Sequence, residues 1–237
     1  MATTRKKSRV SQNGDNRIAG VGADKVVVEE TIKIIPLKKK IIRFKIVGTA
    51  AYMQHRFTAK AKEKIMKNQM AGSQSRSKKD RDPRDYDSDY EAATYVLEDG
   101  RYGIPASCFR SACISACKIV GFHMTKAKLS IFAIEDGIDR NDGKTQLIAI
   151  EGKRERDLMP ARNSNGGCDI RSRPIWKKWS AIVPMWYDEG QFSASDVVNL
   201  MIRAGAQVGI GEGRPDSRES NGMGLGTFEV QLVEGDQ

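Results

Sequence analysis

GIGEGRPDSRESNGMGLGTFEV, residues 209–230, sets six glycines and two arginines between a helix-like segment and an apolar, strand-like end. Glycine reaches positive φ and lets a backbone or a ligand approach closely, at an entropic cost on folding. So many in one place imply a conformational demand. A dinucleotide GxGxxG follows a strand and opens a helix, so that the helix N-terminus meets the pyrophosphate. Here the order is reversed, and the GxxxxGK[ST] phosphate loop is absent from the sequence. No nucleotide cofactor is expected.

Just upstream, SASDVVNLMIRAGAQVGIG predicts a helix capped by Ser193 or Ser195, with Val197, Val198, Met201 and Ile202 on its apolar stripe and Gly205 near its end. Downstream, Thr227 to Val233 reads as a strand. Earlier, DKVVVEETIKII (24–35) and KKKIIRFKIVG (38–48) read as successive strands, and in the second Ile42, Phe44 and Ile46 alternate with Arg43 and Lys45. A lysine-rich helix is expected over 58–70, and an exposed, mobile insertion over 71–93. The aspartates of that insertion lack the calcium-loop pattern and are read as charge balance. Tyr95–Leu97 and Arg101–Ile104 flank a tight hairpin at Glu98-Asp99-Gly100. Pro105 or Ser107 then opens a helix with Phe109, Cys113, Ala116, Cys117 and Val120 on one face. AKLSIFAIEDG (127–137) and TQLIAIEG (145–152) read as strands joined through Asp139–Gly143.

The chain has 237 residues, 39% of them hydrophobic, enough for one elaborated core. Its net charge of +10 points to a polyanionic partner, and no apolar run approaches the roughly 18 residues of a membrane span. The basic, polar N-terminal residues 1–24 read as a flexible arm of a cytoplasmic protein, followed by a single domain over 25–237 with insertions at about 71–93 and 136–178. Four cysteines without a CxxC pair, and only two histidines, leave no metal site expected.

Two motifs carry a family resemblance. GIGEGRPDSRESNGMGLGTF looks like the C-terminal glycine-rich loop of the RAMP superfamily, the repeat-associated proteins of CRISPR systems. YGIPASCFRSACISA is similar to the strand, IPGSS-like turn and helix of backbone subunits of CRISPR effector complexes. It departs from them at Ala106 and Cys108, where that turn usually has Gly and a second Ser. The resemblance implies an α+β fold: a ferredoxin-like (RRM-like) core with an antiparallel sheet, long insertions and a C-terminal glycine-rich loop. It also implies copies that line up along guide RNA, each extending a thumb-like insertion to its neighbour, a role for 71–93 or 153–178 here.

On this reading the protein is not an enzyme. It coats single-stranded RNA or DNA as an oligomer or filament, chiefly through phosphate contacts insensitive to sequence. The candidates for that contact are Arg43, Lys45, Arg56, Ser107, Arg110, Arg171, Arg173, Lys177, Gly211, Arg214, Arg218, Gly222 and Gly224, with Trp176 as a stacking platform. Trp179 and Trp186 are expected in the core. Ser107 has a second reading as a plain helix cap. The sequence leaves RNA, as a guide, and DNA, as in replication or viral recombination, equally open. Two further functions stand beside this one: a metal-independent or metal-assisted endoribonuclease of the same superfamily, some of whose members use a histidine as acid or base, for which His55 is the candidate here, or a loop aspartate, and a structural or virion assembly protein.

Overall fold

A computed structural model describes residues 36–57, 85–162, 168–217 and 223–233, with positions 62, 63, 66, 67 and 70. Within the compact unit Leu37–Gln237 the chain forms, in order, β1 (Lys39–Gly48), β2 (Tyr52–Met53), α1 (Tyr86–Ala92), β3 (Gly103–Pro105), α2 (Ala106–Ile119), α3 (Met124–Ser130) and β4 (Ile131–Ala133). There follow β5 (Gly137–Ile138), β6 (Gln146–Ala149), β7 (Arg154–Arg162), β8 (Cys168–Trp176), β9 (Ser180–Asp188), α4 (Ala194–Arg203) with a π-helical turn at Ala204–Val208, and β10 (Phe228–Leu232). The architecture is mixed α and β with antiparallel sheets.

The main sheet has the order β10-β1-β9-β4, and every neighbouring pair is antiparallel. β1 and β4 therefore run one way and β9 and β10 the other. α2 lies in the chain between the first pair and α4 between the second. The period-2 pattern of β1 places Phe44 and Ile46 on the buried face and Arg43 and Lys45 on the exposed one. β9 repeats it with Ala181, Val183, Met185 and Tyr187 buried. Phe109, Cys113 and Cys117 of α2 join Val197 and Met201 of α4 in the same core cluster. Cys113 Sγ lies 4.0 Å from Met201 Sδ across the two helices. Each large apolar side chain sealed here contributes about 1.5–3 kcal/mol.

Two smaller sheets, β2-β8-β7 and β3-β6-β5, complete the unit. Their strands β5 to β8 fall in the chain between β4 and β9.

Several expectations need correction. AKLSIFAIEDG is helical up to Ser130, because Ala127 is fully buried within the core cluster that α2 shares; only Ile131–Ala133 pairs with β9. Within 71–93, residues 71–84 lie outside the described residues, but 86–92 is a helix, capped where Asp85 Oδ1 accepts from the amides of Asp87 and Ser88 at 3.0 and 3.1 Å. The α4 stripe is closed by Leu200 and not by Ile202, which is 45% exposed. The strand expected over 24–35 lies outside the described residues, as does most of the helix expected over 58–70. The capping at Ser193 is as read, with Asp196 completing a capping box.

Candidate nucleic-acid interface

The described parts of the glycine segment, 209–217 and 223–226, fold back on the protein's own backbone. After the π-helical turn, Ile210 N–H donates to Gly226 O at 2.9 Å, Glu212 N–H to Met53 O at 2.9 Å, Leu225 N–H to Gly213 O at 3.0 Å and Gly226 N–H to Ala51 O at 2.8 Å. Gly211 and Gly226 have φ of 77° and 69°. A Cβ on Gly226 would stand 1.8 Å from Ile210 O, and one on Gly211 2.4 Å from Met53 O. These two glycines are required by internal fit. The loop is pinned to the segment around β2, and its free side is what remains for a ligand.

That free side faces the first turns of α2. Pro105 occupies the N-cap position and no side chain caps the helix, so Ser107 is not the cap. Ser107, Ser111 and Ser115 instead line a cleft of about 390 Å³, with Val208, Ile210 and Arg214 among the residues across it. Four-residue spacing puts the three hydroxyls on one helix face, about 6 Å apart. Cys108 also lines the cleft, and burial pushes its thiol up to about 11, so it stays protonated at neutral pH and is no nucleophile.

At one edge of the cleft, Glu212 is held from two sides. His55 Nδ1 lies 3.5 Å from Oε1, and Arg173 Nη1 lies 2.9 Å from Oε2. The hydrogen bond from His55, then the Arg173 charge, hold the carboxyl below its ordinary range against the effect of burial. Burial in turn lowers Arg173.

Most of the predicted contact residues that the structure describes fall on three surfaces. Ser107, Gly211 and Arg214 meet at the cleft, where Arg214 Nη1 donates to Gly211 O at 3.2 Å. Arg43 and Lys45 stand on the face of the main sheet turned away from α2 and α4. At its β4 edge, Arg110 donates to the carbonyls of Ile131 and Lys128 and covers the Phe132 ring at 4.4 Å. Arg171, Arg173 and Lys177 belong to the β7–β8 hairpin or its end, where Lys177 pairs with Glu155 at 2.6 Å. Arg56 is 12% exposed and spends its Nε on the fully buried Asp139 at 2.8 Å. Gly224 is half-buried, with nothing within 4 Å of its Cβ position, while Arg218 and Gly222 lie outside the described residues.

Trp176 requires correction as a stacking platform. It is fully buried, with ring centroids 5.7 Å from Tyr52 and 5.9 Å from Tyr102. Trp179 is in the core as expected. Trp186 is not: it lies half-exposed on the outer sheet face, stacked on Phe132 at 4.3 Å with Lys39 Nζ 4.6 Å from its ring centre.

Sequence reasoning missed Ser111, Ser115 and Glu212. The serines carried a legible signal, since their four-residue spacing continues from Ser107. Glu212 carried none, because its partners are distant in sequence, His55 just beyond β2 and Arg173 on β8. Among the described residues no group of three or more His, Cys, Asp or Glu is placed to hold a metal, and no helix is long and apolar enough to cross a membrane. The chain matches no protein-family model, and no curated protein matches it in sequence.

Proposed function

We propose that this chain binds single-stranded nucleic acid across the cleft between α2 and the glycine loop, lines up in copies along the strand, and performs no chemistry on it. The observation that carries this reading is the meeting of Ser107, Arg214 and the uncapped start of α2 across one cleft. Amides at a helix start and a guanidinium are a natural pair for a phosphate at the lip. The net charge of +10 supports a polyanionic partner. The order β10-β1-β9-β4, with α2 and α4 as crossovers, is what a ferredoxin-like (RRM-like) core of the RAMP type has, and it supports that finer reading of the fold.

The test is fluorescence anisotropy of labelled single-stranded RNA and DNA of matched sequence over a salt series, with negative-stain microscopy of the same samples. Affinity that falls steeply with salt, and filaments that form only with strand present, are expected. Arg214→Glu weakens binding about tenfold or more. Absence of binding to either strand at low salt sinks the reading.

One observation favours a second reading, RNA cleavage. His55 lines the cleft, and Glu212 beside Nδ1 would orient the ring, leaving Nε2 to exchange a proton with a bound strand. Bound RNA that is cut by the wild type and left whole by His55→Ala would replace coating by catalysis.

A further inference from the structure

We infer that the cleft takes one nucleoside unit of the bound strand, base inward and unstacked from its neighbours, while the flanking phosphates stay outside at Arg214. This rests on the binding function proposed above and specifies which part of the strand enters.

Charge decides which part enters. Among the described residues, two carboxylates, Glu212 and Asp216, line the cleft against one permanent cation, Arg214. Glu212 is already matched by Arg173 and His55. A phosphodiester drawn inside would lose water and meet carboxylates, a costly exchange. The uncharged portion of a nucleotide meets no such penalty.

The walls suit that portion. Val208 and Ile210, 3% and 1% exposed, offer an apolar floor from the loop side, and Ala112 continues it from α2. Ser107, Ser111 and Ser115 give a row of hydroxyls, which both donate and accept and so meet sugar hydroxyls and base edges without selecting one base. The protonated Cys108 thiol adds no charge. At about 390 Å³ the cleft falls within the range of sites that enclose a small ligand, about 300–1,000 Å³. A base leaves a single strand more cheaply than a duplex, because no pairing is lost.

The experiment reads strand binding and base position in one titration. A single strand of roughly 15 nucleotides, within a few binding sites in length, carries 2-aminopurine at its centre and a dye at one end. Dye anisotropy reports binding, and 2-aminopurine emission reports unstacking. The wild type is expected to raise both. Ser111→Trp fills the cleft from an exposed position on α2; it is expected to weaken binding about tenfold and to abolish the emission change on the strand that still binds. Ser107→Trp, one turn earlier and also exposed, gives the same result should the first variant melt early. Wild-type binding without an emission change, or an emission change that survives both tryptophans, overturns the nucleoside pocket and leaves strand binding standing. No anisotropy change in the wild type overturns both.

Discussion

The glycine loop and the β7–β8 hairpin both stand out in the sequence, one for its glycines and one for its cations, and the fold uses them in opposite ways. In the hairpin the conspicuous charges are internal cross-links. Arg154 is 13% exposed, pairs with both oxygens of Glu91 at 2.7 and 3.0 Å, and lies between the rings of Tyr90 and Tyr102 at 4.4 and 4.5 Å. Arg156 pairs with Asp87 of the same helix α1, and Arg173 with Glu212. In the loop Gly211 and Gly226 are an internal fit, and the surface they leave is the cleft. A basic stretch thus proves partly self-neutralised, while a flexible-looking one proves closely fitted at Gly211 and Gly226.

Substitutions that separate the two regions follow, from the largest effect down. Gly226→Ala places a methyl against Ile210 O at positive φ and is expected to cost about 3–5 kcal/mol in thermal or urea unfolding. A loss under about 1 kcal/mol would mean the loop is loosely held, and the contrast with the hairpin would fail. Arg154→Ala removes a bidentate pair and two ring contacts, for about 2 kcal/mol by the same measurement. If it left stability unchanged and weakened strand binding instead, the hairpin cation would belong to the interface and not to the fold.

Glu212→Gln joins the two regions, since it leaves the nearly buried Arg173 charge without its partner, and about 2 kcal/mol is expected. Its pH dependence carries a sign. The folded pKa of Glu212 is depressed, so its contribution is complete above the ordinary glutamate value of about 4.3 and is lost as pH falls through the lower folded value. Wild type and variant should therefore converge in stability on acidification below about pH 4. Gly224→Ala, with φ of 68° and open space at its Cβ position, carries only the backbone penalty of about 1 kcal/mol. Equal losses at Gly224 and Gly226 would assign both to backbone conformation and remove the argument from fit.

The sequence made legible whatever obeyed a single local rule. β1 alternates cleanly, Ser193 caps α4, and the turn at Glu98-Asp99-Gly100 closes with Leu97 N–H on Arg101 O. β7 and β8 were unreadable as strands. Arg154 and Arg156 meet α1 on one face while Arg173 meets Glu212 on the other, so charge appears at both parities, and Pro160 and Pro174 further mask the pattern. Trp176 misled because a tryptophan followed by two lysines reads as exposed, whereas tyrosines distant in sequence enclose it. At the cleft, Ser107, Gly211 and Arg214 were nameable in advance, but their meeting across it depends on the pairing of the loop with Ala51 and Met53. No local pattern encodes that pairing.

Ultraviolet cross-linking of the full chain to single strands carrying a photoreactive base, with the attached peptides identified by mass spectrometry, tests the central claim most directly. Cross-links concentrated in residues 105–115 and 208–217, reduced by Arg214→Glu, are the predicted result. Cross-links confined to the β7–β8 hairpin or to the outer sheet face around Arg43 and Trp186, with the cleft peptides unmodified, would contradict it.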